Sequence, residues 1–230
     1  MNNPTIVPST ITFLKNLERN NNRDWFTENK TEYLAAHHNM CDFADHLLLL
    51  MNEHDAIEQV SGKKSLYRIY NDIRFSKDKS PYKLRFALGL QRATTQRRGG
   101  YYLHIQPGNN FLACGFFNPN SADLKRIRKD IEKNPQIWRK LLDTKKIKQG
   151  FGSLSGNQVP TFPKGFPKDH EAIDLIRFKQ FILKHSFTDQ EVLQANFAQT
   201  VALLFKDVRP FFDYLSIVLT TDENGASLIE

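Results

Sequence analysis

The sequence predicts an α+β fold: a single antiparallel β-meander of about four or more strands, with helices before and after it packed on the sheet. Two observations support this prediction. Apolar residues recur at helical spacing towards both ends of the chain. Between these regions, from about Ser65 to Phe117, apolar and polar residues alternate with a period of two in four successive runs.

The helices are predicted from their apolar stripes and from the residues that begin or end a helix. Ser121 is a favourable N-cap, Pro135 should end the helix that follows it, and Pro210 should kink or divide the last helix. Residues 145–166 are rich in Gly, Pro, Ser and Lys and predict a long irregular connection. The predicted helices have the approximate bounds 9–20, 30–53, 121–134, 138–142, 169–181 and 189 onward.

Composition indicates one globular domain spanning residues 1–230, because 230 residues with 40% apolar side chains can enclose a sizeable core. The longest apolar run, Leu47–Met51, is too short to cross a bilayer, so no membrane association is expected. The N-terminal residues lack the features of a signal peptide and only two cysteines occur, which predicts a cytoplasmic location. A net charge of +7 favours a phosphate-bearing or otherwise anionic partner.

The most informative stretch is RIYNDIRFSKDKSPYKLR, Arg68–Arg85, which combines strand-like alternation with many charges. We expect a hairpin with residues 77–80 as its loop, in which Tyr67 and Phe75 share the core face with Tyr82. The opposite face would then carry four cross-strand pairs: Arg74 with Lys83, Asp72 with Arg85, Tyr70 with Ala87, and Arg68 with Gly89.

A second predicted hairpin turns at Pro107–Asn110 and adds Tyr102 and His104 to the same open face. If the hairpins join in one meander, small residues form the floor of a shallow pocket with a basic wall. These floor residues are Ala87, Gly89, Ala113 and Gly115.

This open face is the predicted ligand site, because like charges opposite each other on a sheet repel unless an acid or a bound anion relieves them. Arginine suits phosphate and carboxylate, and Asp72 and His104 are the candidates for proton transfer. Arg128 joins the set because it lies on the apolar side of its helix and needs an internal partner or a ligand. The predicted ligand-binding residues are Arg68, Tyr70, Arg74, Lys83, Arg85, Tyr102 and Arg128. A solvated sheet face with an Asp72 ion pair is the alternative structural interpretation.

Two functional hypotheses follow. The first is a domain that holds a phosphorylated or other anionic small molecule on the basic face, either for binding alone or as the substrate of an enzymatic reaction. The second is a nucleic-acid-binding module in which Tyr70 and Tyr102 stack on bases. No nucleotide-binding fingerprint is present, so the sequence names no cofactor. His38, Asp42 and His46 recur at helical spacing but predict a solvated helix face, and therefore no metal site is expected.

Several of these strings also carry a resemblance. NNNRDWF, RIYNDIRFSKDKSPYK, YYLHIQPG, FLACGFF and PKGFPKDH together resemble a bacterial and fungal family catalogued as domain of unknown function 2461. The resemblance extends from about Phe13 to Phe212 and implies a single domain, without implying an activity. This chain has Asn71 where the family pattern usually has arginine, so one positive charge of the pattern is missing.

Overall fold

The computed structural model describes residues 4–222 and 224–228. Its strands are β1 (Phe86–Gln91), β2 (Gly100–Ile105), β3 (Asn110–Phe116) and β4 (Phe181–Phe187). They form one antiparallel sheet in the order β1-β2-β3-β4, with helices before and after it along the chain. The predicted α+β class is therefore confirmed. Among the described residues, no helix combines the length and apolar character that crossing a membrane requires.

Helices precede the sheet, separate β3 from β4, and follow β4. Those before the sheet are α1 (Pro8–Arg19), α2 (Arg23–Glu28), α3 (Lys30–Asn52) and α4 (Gly62–Ser65). Those between β3 and β4 are α5 (Ser121–Lys133), α6 (Pro135–Leu142), α7 (Lys145–Phe151) and α8 (Ile173–Ile176). Those after the sheet are α9 (Asp189–Val192), α10 (Phe197–Asp207) and α11 (Arg209–Thr220).

The helices with long apolar stripes lie where the sequence predicts them. α1, α3 and α5 agree with their predicted bounds to within one or two residues, although the side chain that caps α5 is Asn120 and not Ser121. The last predicted helix is divided, and Pro210 occupies the first turn of α11, where its missing N–H costs nothing. The predicted irregular connection contains α7, whose N-terminus is capped by the hydroxyl of Thr144.

The helix predicted for residues 169–181 is wrong beyond its first turns. Only Ile173–Ile176 is helical, and Phe181 begins β4. In β4, Phe181, Leu183 and Phe187 are buried while Lys184 and Ser186 are exposed, which is the period-two pattern of a strand. Short apolar runs fit helical and strand periods alike, so spacing alone did not separate them.

The chain divides into two compact units. The first comprises the residues up to Leu90 together with Tyr102–Leu112 and Ser186–Leu203. The second comprises Gln91–Tyr101, Ala113–His185 and the residues from Leu204 onward. Each unit has a core rich in aromatic rings: Phe13, Phe43, Phe86 and Phe197 are buried in the first, and Tyr101, Trp138, Phe181, Phe211 and Phe212 in the second.

The segment between α4 and β1 departs most from the prediction. It contains two isolated antiparallel bridges, Leu66 with Leu88 and Tyr70 with Tyr82, and no continuous hairpin. The predicted register, with Tyr70 opposite Ala87 and Arg74 opposite Lys83, is therefore wrong. Phe75, expected in the core, is 95% exposed.

Side chains replace the missing strand ladder in this segment. The Asn21 side chain accepts from the Tyr82 N–H at 3.2 Å and donates to the Tyr82 carbonyl at 2.9 Å. The Asn71 amide donates to the Ser80 carbonyl at 2.9 Å, and its main-chain N–H donates to the carbonyl of Pro81 at 2.9 Å. Since Pro81 has no N–H, it cannot complete a ladder. These bonds close residues 71–81 into a loop in place of a regular strand pair.

Candidate functional site

Six side chains of the first unit line a small pocket with about 150 Å³ of free space. We call it the basic pocket, and its lining residues are Tyr67, Arg68, Lys83, Arg85, Ala87 and Tyr102. Three of these side chains are cations, and within the described part of the chain the lining contains no carboxylate. Ala87 belongs to β1 and Tyr102 to β2, so the sheet supports one side of the pocket.

Lys83 is positioned by the residue before it. The Tyr82 ring stacks on Phe26 of α2 with 3.9 Å between ring centroids, and Asn21 holds the main chain of Tyr82. The ammonium of Lys83 then donates to the main-chain carbonyls of Arg68 at 2.7 Å and Tyr70 at 3.0 Å. Burial, followed by the charges of Arg85 and Arg68, lowers the pKa of Lys83.

Arg85 presents a donor that the folded chain does not use. Its Nε is buried and has no hydrogen-bond partner among the described residues. An unpaired buried donor costs free energy comparable to a lost hydrogen bond. Arg85 also acts on the neighbouring Tyr102: burial raises the pKa of this phenol, and the charge and hydrogen bonding of Arg85 oppose that rise.

Tyr102 connects the basic pocket to a buried histidine. Its hydroxyl lies 3.1 Å from His104 Nδ1, and His104 Nε2 lies 3.0 Å from the Gln106 side-chain oxygen. Because that oxygen can only accept, Nε2 carries the proton and Nδ1 accepts from the Tyr102 O–H. The His104 ring, 6% exposed, stacks on Phe111 with centroids 4.4 Å apart. His104 therefore orients the Tyr102 hydroxyl and is not itself part of the pocket lining.

Comparison with protein families identifies the chain. The family model described as a conserved hypothetical protein (DUF2461) matches residues 9–214, which include the whole basic pocket. The chain belongs to the DUF2461 family. Neither the curated proteins nor the solved structures contain a match to it. The family description names no ligand, so function in this DUF2461 protein must be argued from the geometry of the site.

Four of the residues predicted to bind a ligand meet in the basic pocket of this DUF2461 protein. They are Arg68, Lys83, Arg85 and Tyr102. Arg74 does not join them, because its guanidinium holds both carboxylate oxygens of Asp72, at 3.0 Å and 2.7 Å. The hydrogen bonds from Arg74 lower the pKa of Asp72 and keep its carboxylate paired. The predicted like-charge pair of Arg74 and Lys83 is thus absent. Arg74 instead forms an ion pair with Asp72, two residues before it in the chain.

Tyr70 and Arg128 also lie outside the lining of the pocket. The Tyr70 ring packs against Phe26 at 6.0 Å and Tyr82 at 5.5 Å, between centroids. Arg128, in the second unit, donates to the carbonyls of Ile176 at 2.9 Å and Phe178 at 3.0 Å. Arg128 was expected to need an internal partner or a ligand, and the main chain supplies the partner.

The predicted floor of small residues is only partly correct. Ala87 lines the basic pocket, but Gly89 lies beneath the Tyr67 ring, where an added Cβ would approach the hydroxyl to 2.6 Å. Gly115 has φ +142°, and a Cβ there would lie 2.0 Å from the Phe181 carbonyl of β4. Its role is close strand packing, so Gly115 contributes nothing to a floor.

Sequence reasoning missed Tyr67 as a site residue. The alternation pattern places Tyr67 in the core, yet 55% of it is exposed and its ring packs on Tyr102 with centroids 6.1 Å apart. The available signal was Gly89: a glycine inside a strand often marks the close approach of another group. Tyr67 is that group, and it forms the exposed rim of the basic pocket.

Proposed function

We propose that the basic pocket binds the phosphate or carboxylate group of an anionic small molecule. The observation that carries this proposal is the gathering of Arg68, Lys83 and Arg85 around one cavity without a described acidic side chain. No described carboxylate forms a salt bridge with any of the three, although the charge of Arg68 contributes to lowering the pKa of Asp72, which is paired with Arg74. Like charges held together in a partly dehydrated site repel, and an anion relieves that repulsion.

The chemistry of the lining matches an oxyanion. An arginine fork donates to two oxygens at once, and a lysine adds a point charge with a third donor. Arg85 lines the cavity, and its buried Nε has no acceptor among the described residues. The Tyr67 and Tyr102 rings contribute apolar walls beside these donors.

The size of the cavity limits which part of a ligand enters it. Small-molecule pockets usually occupy about 300–1,000 Å³, whereas the basic pocket offers about 150 Å³. We therefore expect the anionic group to occupy the cavity and the remainder of the ligand to lie outside it, against the exposed Tyr67 rim.

The nucleic-acid alternative receives less support from this geometry. A stacking platform needs Tyr70 and Tyr102 on one surface, but the Tyr70 ring, 45% exposed, packs against Phe26 and Tyr82 and does not line the basic pocket. A cytoplasmic location accompanies the main proposal, because Cys41 and Cys114 are both free and disulfides are rare in the reducing cytosol.

Thermal stability in the presence of ligands tests the proposal. Inorganic phosphate, sugar phosphates, nucleotides and short oligonucleotides are each added to the wild-type protein and to Arg85→Met, at low and high salt. Arg74→Met is the matched control, since Arg74 is exposed and already paired with Asp72. A ligand that binds only the native state raises its melting temperature by mass action.

We expect phosphate or a phosphorylated compound to stabilise wild type and Arg74→Met but not Arg85→Met. Equal stabilisation of all three proteins would reject the basic pocket as the binding site. Stabilisation by oligonucleotides alone, lost at high salt, would support the nucleic-acid hypothesis instead.

A further inference from the structure

The amine of Lys83 is held in a defined orientation. Two main-chain carbonyls, those of Arg68 and Tyr70, accept hydrogen bonds from Nζ at 2.7 Å and 3.0 Å. A tetrahedral amine nitrogen has three positions besides its carbon, and the carbonyls occupy two of them. The third position carries a proton in the ammonium form and the lone pair in the neutral amine. Since Lys83 lines the basic pocket, the neutral form retains two N–H donors for the carbonyls and keeps a lone pair free for reaction.

The burial of Lys83 and the charges around it shift its protonation equilibrium towards the neutral amine. Arg68 and Arg85 line the same cavity, and no described carboxylate pairs with Lys83. Partial burial and these two positive charges both lower its pKa. Lysines next to other cations are a recognised class of amine nucleophile, because more of the amine is unprotonated near neutral pH.

We propose that Lys83 is a nucleophilic amine that forms an imine with a small carbonyl compound bearing a phosphate or carboxylate group. This inference rests on the proposed function, because Arg68 and Arg85 would hold the anionic group while Lys83 meets the carbonyl carbon. The substrate class is therefore narrower than anions in general: it contains an aldehyde or ketone within reach of the anionic group.

The step balances without a further reactant. The Lys83 lone pair attacks the carbonyl carbon, a C–N bond forms, and the C=O π bond breaks to give a carbinolamine. One amine proton passes to the oxygen as the carbinolamine forms, and the second leaves with that hydroxyl as water, so the water takes its oxygen from the carbonyl and both its hydrogens from the amine. The imine C=N bond remains, and neither partner is oxidised or reduced.

Pyridoxal 5′-phosphate, an aldehyde with a phosphate group, is the probe for this reaction. The full-length protein is treated with it, the imine is reduced with borohydride, and the modified lysines are located by peptide mass spectrometry. Pyridoxal, which lacks the phosphate, is run in parallel, as is a sample containing excess inorganic phosphate. Lys79 serves as the internal comparison, because it is exposed and donates to a single carbonyl, that of Ile73.

We expect pyridoxal 5′-phosphate to modify Lys83 before Lys79, with inorganic phosphate slowing the modification of Lys83 alone. Lys83→Arg keeps the positive charge and should lose the modification at this position, whereas Lys79→Arg should leave it intact. An unchanged melting temperature would show that Lys83→Arg still folds.

Modification spread evenly over the exposed lysines would overturn the imine proposal. If phosphate nevertheless stabilised the protein through Arg85, the anion site would stand and only the nucleophile would be rejected. Conversely, rapid modification of Lys83 by both aldehydes, without protection by phosphate, would retain a reactive amine and reject the anion site.

Discussion

Positively charged side chains have different surroundings in two regions of this protein. In the second unit, the Arg92 side chain is 1% exposed and donates to Asp213 at 2.6 Å, to the Ser216 hydroxyl at 3.2 Å and to the Arg98 carbonyl at 3.1 Å. In the first unit, the three cations of the basic pocket have no described carboxylate partner. Arg92 thus finds its hydrogen-bond acceptors and a carboxylate within the protein. In the basic pocket, by contrast, no described carboxylate forms a salt bridge with the three cations.

This difference separates structural charge from charge available to a ligand. A buried cation is tolerated when acceptors surround it, and removing it breaks contacts that the fold needs. Repulsion among the cations around a cavity opposes folding, so removing Arg85, which forms no described salt bridge, should cost little. Mutations in the two regions should therefore change stability in opposite directions, which is the basis of the following predictions.

The largest effect is expected for Arg92→Leu. The substitution removes the donors to Asp213, Ser216 and the Arg98 carbonyl together. We expect the free energy of unfolding to fall by about 3 kcal/mol, the lower end of the range for a broken buried pair, because half-exposed Asp213 can be hydrated. Urea unfolding measures the change, with the exposed Arg97→Leu as control. A loss no larger than that of the control would show that Arg92 is not structural.

A smaller loss of stability is expected for Tyr214→Phe, which removes one hydrogen bond to the Asp130 carboxylate. Asp130 accepts from the Tyr214 hydroxyl and from Trp138 Nε1, each at 2.7 Å. Loss of the hydroxyl should lower the free energy of unfolding by about 1 kcal/mol at pH 7.

The cost of Tyr214→Phe should also depend on pH. Burial, followed by the hydrogen bond to Asp130, raises the pKa of Tyr214 in the folded protein. Above a pH of about 10 the unfolded chain therefore loses this proton first, and wild-type stability falls as pH rises. The difference between wild type and Tyr214→Phe should shrink between pH 9 and pH 11, a range set by the ordinary tyrosine pKa of about 10. A constant difference would contradict the raised pKa.

The smallest effect, and the one of opposite sign, is expected in the basic pocket. Arg85→Met keeps the unbranched stem of the side chain as far as the position of Nε but removes the guanidinium, and with it one of three like charges, the unpaired buried Nε and the hydrogen bond to Tyr102. In low-salt buffer without phosphate we expect the free energy of unfolding to rise by about 0.5 kcal/mol. Arg74→Met, which breaks an exposed ion pair, should not raise it. A clear loss of stability in Arg85→Met would show that Arg85 supports the fold.

The parts of the fold that the sequence predicts correctly depend on local patterns. The stripes of α1, α3 and α5 repeat over several turns, which makes the helical period unambiguous. The irregular segment before β1 depends on Asn21, about sixty residues away, which binds the main chain of Tyr82. The spacing of apolar residues along the sequence cannot predict a hydrogen bond between residues so far apart in the chain.

The same distinction applies to the candidate site. Period-two alternation places Arg68, Lys83 and Arg85 on one face of the predicted hairpin, and these three residues meet in the basic pocket although the predicted register is wrong. The predicted register sets Arg74 across from Lys83, whereas in the structure Arg74 pairs with Asp72, two residues away. The local ion pair was the stronger evidence, since it requires no assumption about strand pairing.

The most direct test of the central claim is a phosphate titration followed by NMR at the arginine Nε–H groups. The Nε of Arg85 is buried without a described partner, whereas that of Arg74 is bonded to Asp72 at 3.0 Å. If the basic pocket is an anion site, the Arg85 resonance shifts and saturates with phosphate while that of Arg74 stays in place. Shifts at exposed arginines without a saturable change at Arg85 would contradict it.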